Sequence, residues 1–139
     1  MKRGFTLLEL VVVILIVGVL ATLGFTQYGR MVERARGAEA KAILGNVREL
    51  AASYRLENGT ISGFAATQAN IGTATDQNPS ACASTHYFTY GVATSGTASV
   101  TTTATRCTSS GKAPQGPSAL TLVLTTNLTT GVDAWSGDY

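Results

Sequence analysis

Apolar and polar positions are sharply segregated along the chain. From Phe5 to Phe25 nearly every residue is apolar, Thr6, Glu9 and Thr22 being the exceptions, and Leu10 to Ala21 is unbroken. A run of about 21 residues is the length an α-helix needs to cross a hydrocarbon layer of about 30 Å. Lys2 and Arg3 stand immediately before it, so the positive-inside rule expects the N-terminus in the cytoplasm and the remainder across the membrane. A secretory signal peptide shares the charged start and apolar middle. Here Leu20-Ala21-Thr22-Leu23-Gly24 is a poor cleavage site, and helix-compatible sequence continues unbroken to Asn58-Gly59.

Beyond the apolar run the period changes. Between Tyr28 and Glu57, Ala40, Ile43, Val47, Leu50 and Tyr54 recur at alternating steps of three and four, the spacing of one helix face. That stripe predicts a helix packed against a sheet, with Arg30 and Glu33, and Arg36 and Glu39, on the solvated side. Asn58-Gly59 predicts its end, since both residues tolerate the left-handed conformation. Residues 60–85, rich in Ala, Thr, Asn and Gly, show no sustained period and read as a long surface connection anchored at Cys82. Segments 86–94, 97–105 and 119–127 are rich in Thr, Val, Tyr and Leu, with a Ser95-Gly96 turn between the first two. The expected class is α+β, a long N-terminal helix packed in its second half on three or four antiparallel strands, with Gly131 to Tyr139 as a solvated tail.

Composition narrows the function. The net charge of +2 is carried by Lys2 and Arg3, without which the side chains sum to zero, so nucleic acid or an acidic substrate is not the expected main partner. Cys82 and Cys107 lack metal-type spacing. In a domain delivered outside the cytoplasm they read as a disulfide, whose loop of about 25 residues contributes roughly 3 to 4 kcal/mol in the chain-entropy model; in the cytoplasm they would read as two thiols. His86 is the only histidine, and no nucleophile set, phosphate loop or paired-cysteine motif accompanies it, so neither enzyme nor cofactor is expected. Asp133 and Asp138 are oxygen donors for Ca²⁺ without an EF-hand pattern. Asn58-Gly59-Thr60 and Asn127-Leu128-Thr129 match the N-glycosylation pattern. Phe5, Phe25, Tyr28 and Tyr54 read as core packing.

Glu9 is the residue that the apolar run does not explain. A carboxylate within a membrane span costs about 2.5 kcal/mol or more unless it snorkels or finds a positive partner. A cut between Gly4 and Phe5 would create such a partner, a new α-amino group near the depth of Glu9. Lys2-Arg3-Gly4-Phe5-Thr6-Leu7-Leu8-Glu9-Leu10 resembles the class III leader and first turns of type IV pilins and pseudopilins, and the likeness continues through Gly18, Gln27-Tyr28 and Glu33-Arg34-Ala35-Arg36.

The resemblance implies cleavage after Gly4 by an inner-membrane prepilin peptidase, which also methylates Phe5. It further implies pairing of Glu9 with the amine of an adjacent subunit, a homopolymeric filament and an inner-membrane assembly machinery. Thr26 stands where many pilins have a kinking proline, leaving Gly24 and Gly29 as the weak points of the helix. The resulting division is 1–4 leader, 5–28 membrane and filament-core helix, 29–59 amphipathic half of the same helix, 60–85 connection, and 86–139 sheet and tail. A pilus subunit, exported from the inner membrane to the cell exterior, is the first expectation. A periplasmic type II secretion pseudopilin is the second, and a non-polymerising membrane-anchored binding protein that keeps Met1 to Gly4 is the third.

Overall fold

With no proline between Phe5 and Asn58 to interrupt it, the first part of the chain forms one helix. The computed structural model describes residues 5–71, 78–114, 116 and 118–139. Helix α1 runs Leu7–Asn58, followed by strands β1 (Phe88–Ser95), β2 (Ser99–Arg106), β3 (Thr121–Asn127) and β4 (Val132–Gly137). Helical structure persists through Gly18, Gly24 and Gly29. Thr22 and Thr26 turn their hydroxyls back onto the carbonyls of Val19 and Leu23, at 2.8 and 2.9 Å, so neither needs a partner outside the helix. Gly59, at φ +72°, ends α1 in the left-handed conformation, its N–H donating to the Arg55 carbonyl at 2.8 Å.

The strands form one antiparallel sheet in the order β1-β2-β3-β4. Alternation decides which side faces the helix: Val100, Thr102, Ala104 and Arg106 of β2 and Leu122, Leu124 and Thr126 of β3 are buried, while the residues between them in each strand are half-exposed. Contacts divide the chain into two compact units meeting at Ala35 and Arg36. Within the unit Arg36–Tyr139, the helix contributes Gly37, Ala40, Leu44, Val47 and Ala51 to the core.

The buried stripe keeps Ala40 and Val47 of the expected one and differs at its other positions. Leu50 is exposed, Ile43 and Tyr54 only flank the core, and Leu44 and Ala51 take the central places. Small residues explain the rotation. Gly37 and Ala40 let the backbone come close, and at Gly37 a Cβ would lie 2.4 Å from Cδ1 of Tyr139, whose ring also meets Phe88 edge-on at 5.6 Å. A pattern weighted by large apolar side chains favours Leu50 over such positions.

Two other expectations change. Residues 60–85 are not simply a surface connection, because Ile61, Phe64, Ala69 and Ile71 are buried and Phe64 meets Tyr54 at 5.5 Å between ring centroids. The C-terminal tail is strand β4, paired with β3 from Leu122↔Gly137 to Asn127↔Val132. Every residue of β4 is exposed, so no buried alternation marked it in the sequence. Backbone pairing holds it, together with Asp133, which accepts from Nε of Arg48 at 2.9 Å and from Oγ1 of Thr126 at 2.7 Å.

Arg106 is the largest fully buried side chain among the described residues. Its guanidinium donates to the carbonyls of Tyr87 at 3.0 Å, Cys107 at 3.3 Å and Pro114 at 3.2 Å, and it lies over the Tyr87 ring at 5.0 Å. A buried charge is tolerated when such acceptors replace water.

Candidate functional site

At its N-terminal end α1 has orphan N–H groups that need acceptors. Thr6 stands at the cap and Glu9 three residues on, the spacing of a capping box. Oε2 of Glu9 accepts from the Thr6 backbone N–H at 2.8 Å and from its hydroxyl at 2.9 Å, while the Glu9 N–H donates to the Thr6 hydroxyl at 3.3 Å. Among the described residues, no donor reaches Oε1. The Thr6-x-x-Glu9 spacing is a signal in the sequence for this cap, a second role for Glu9 beside the partner expected in another subunit.

Around this carboxylate the surface is apolar. Phe5 is 91% exposed, and Leu7, Leu8, Leu10 and each large apolar residue onward to Met31 are exposed. An 18-residue window of α1 near the N-terminus has mean hydropathy 2.8, enough by length and composition to cross a membrane. Phe25 and Tyr28 are exposed as well; of the four aromatic residues named in the sequence, only Tyr54 packs against the core. Lys2, Arg3 and Gly4 lie outside the described residues, so the bond between Gly4 and Phe5 has no described geometry.

The remaining candidates lie in the unit Arg36–Tyr139. Cys82 and Cys107 are joined by a disulfide with Cα atoms 5.8 Å apart. Asp133 and Asp138 are not brought together. Asp133, at the start of β4, serves Arg48 and Thr126, whereas Asp138 follows the last residue of that strand and its Oδ2 accepts from the Thr121 N–H at 2.8 Å. Partial burial alone would raise the Asp133 pKa, but the Thr126 hydroxyl and the Arg48 hydrogen bond and charge outweigh it and hold the carboxyl below its usual range. Among the described residues, no cluster of three or more His, Cys, Asp or Glu side chains could hold a metal.

His86 pairs through Nδ1 with the Thr85 hydroxyl at 2.8 Å. Asn58 and Asn127 use their side chains locally: Nδ2 of Asn58 donates to the Tyr54 carbonyl at 2.8 Å, and Oδ1 of Asn127 accepts from the Thr129 N–H at 2.9 Å. Arg55 ties the helix to the β3–β4 turn through the Leu128 carbonyl and the Thr129 hydroxyl.

Residues 1–25 match the family model for the prokaryotic N-terminal methylation motif. No solved structure matches the chain.

Proposed function

We propose, from an N-terminal segment that carries the class III prepilin leader of type IV pilins and pseudopilins, that this chain is a structural subunit of an extracellular type IV pilus. The observation that carries the proposal is the setting of Glu9. A carboxylate that its own chain satisfies on one oxygen sits in the exposed apolar stretch at the start of α1, and no donor among the described residues reaches its second oxygen.

Before assembly, Lys2 and Arg3 hold the leader on the cytoplasmic side and the apolar part of α1 lies in the bilayer. Prepilin peptidase cuts after Gly4 and methylates the new amine of Phe5. That amine, now cationic, approaches Oε1 of Glu9 in a neighbouring subunit, while Thr6 keeps Oε2. The apolar surface then exchanges lipid for other helices. Burial of that surface, at about 25 cal/mol per Å² relative to water, opposes any return to an aqueous exterior. The charge pair sets register, because a misplaced subunit leaves a carboxylate unpaired in apolar surroundings. The function is structural, with no catalytic step assigned to the chain, and the partners are further copies of itself, the peptidase and the inner-membrane assembly machinery.

Mass spectrometry of filaments sheared from cells tests this reading. The expected result is an abundant chain beginning at N-methylated Phe5. A processed chain confined to the cell envelope would favour a secretion pseudopilin, and a chain retaining Met1 to Gly4 would favour an anchored, non-polymerising protein.

A further inference from the structure

Strand β1 lies at one edge of the sheet, and an edge strand turns every second residue's backbone groups away from its partner. The Cys107 N–H donates to the Tyr87 carbonyl at 2.8 Å, which fixes the alternation. Tyr87, Thr89, Gly91 and Ala93 therefore bond toward β2, and Phe88, Tyr90, Val92 and Thr94 present their N–H and C=O groups outward. The outward N–H of Tyr90 is covered: it donates to the Pro79 carbonyl at 2.8 Å.

The covering segment is tied at both ends. Upstream, Asn78 is buried, bridges Ile71 and donates through Nδ2 to the Ala69 carbonyl at 3.1 Å. Downstream, Cys82 forms the disulfide with Cys107. The two sulfurs differ in setting. Cys107 is buried directly after Arg106, with Gly111 packed so closely that a Cβ there would lie 2.5 Å from Cβ of Cys107. Cys82 and Ala83 are half-exposed, between exposed Ser80-Ala81 and exposed Ser84. One end of the bridge is a fixed post and the other a strap.

We propose that the Cys82–Cys107 disulfide is a redox-sensitive clasp holding residues 78–82 over the outward edge of β1, so that reduction uncovers a strand edge while leaving the sheet intact. A dithiol reductant supplies two electrons and two protons: the S–S bond breaks, each sulfur becomes a thiol, and the dithiol closes to its own disulfide. Release frees the N–H of Tyr90, which then joins the outward groups of Val92 and Thr94 along the strand edge.

Amide hydrogen exchange, followed by NMR on the full chain in detergent micelles before and after treatment with dithiothreitol, tests the clasp. The expected result is exchange at Tyr90 faster by about tenfold or more, with protection retained at Gly91, Ala93 and Thr103 on the β1–β2 ladder. The Cys82→Ser, Cys107→Ser double variant should reproduce that pattern without reductant. Unchanged protection at Tyr90 would overturn the proposal. Equal acceleration at all four amides would overturn it as well, because the disulfide would then support the sheet as a whole.

Discussion

At Glu9 one carboxylate oxygen is committed to Thr6 of the same chain, which makes two substitutions separable. Glu9→Ala removes the cap and the second oxygen together. Membrane insertion and cleavage after Gly4 should persist while filaments are lost, as read by fractionation, mass of the mature chain and the sheared-filament yield. Thr6→Val removes only the capping hydroxyl, a cost of about 1 kcal/mol at the helix end, and should lower filament yield less. Equal losses in the two variants would reduce Glu9 to a cap. Asp133 gives a second prediction at this scale. Its carboxyl titrates below the ordinary value of about 3.9, so the stabilisation it supplies is present above that pH and fades as pH falls through the lower folded value. Asp133→Asn should therefore lower the thermal midpoint near neutral pH, and its difference from the parent should shrink as the pH is taken below that ordinary value, the difference being small because the Arg48 pair is partly exposed.

Among elements, α1 shows how a correct period can carry a shifted phase. Helix, sheet and order were legible because apolar steps of three and four and runs of Thr and Val are local properties. Of the buried line, Ala40 and Val47 were legible too, but Gly37, Leu44 and Ala51 were not, since the helix face is set by how closely a small residue lets Tyr139 approach, a contact between distant parts of the chain. Leu44→Ala should therefore cost about 2 to 5 kcal/mol and Leu50→Ala under about 1, compared by denaturant unfolding in micelles. The reverse order would restore the stripe read from large side chains. Strand β4 is not legible in the sequence for a related reason, its residues being exposed and its position fixed by pairing with β3. Of the candidate site, Phe5 and Glu9 could be read directly, and Thr6 could have been read from its spacing. Buried Arg106 could not, because its acceptors are backbone carbonyls that only the folded loop assembles.

For the molecule as a whole, the division at Ala35 and Arg36 separates two kinds of surface. On one side lie the exposed apolar residues from Phe5 to Met31; on the other, exposed large apolar side chains are few among the described residues, namely Leu50, Leu56, Val132 and Trp135. The core cluster, the disulfide and the Arg48–Asp133 pair all belong to the second side. A chain begun at Glu33 keeps all of them and places a carboxylate at the new helix start, where the helix dipole favours it. Such a chain should stay in the supernatant of detergent-free buffer and melt cooperatively by circular dichroism, whereas the full-length chain should sediment without detergent. If the shorter chain does so, the partition at residue 35 becomes a matter of handling: the disulfide-bearing part could be purified, labelled and crystallised apart from the exposed apolar helix that precedes it.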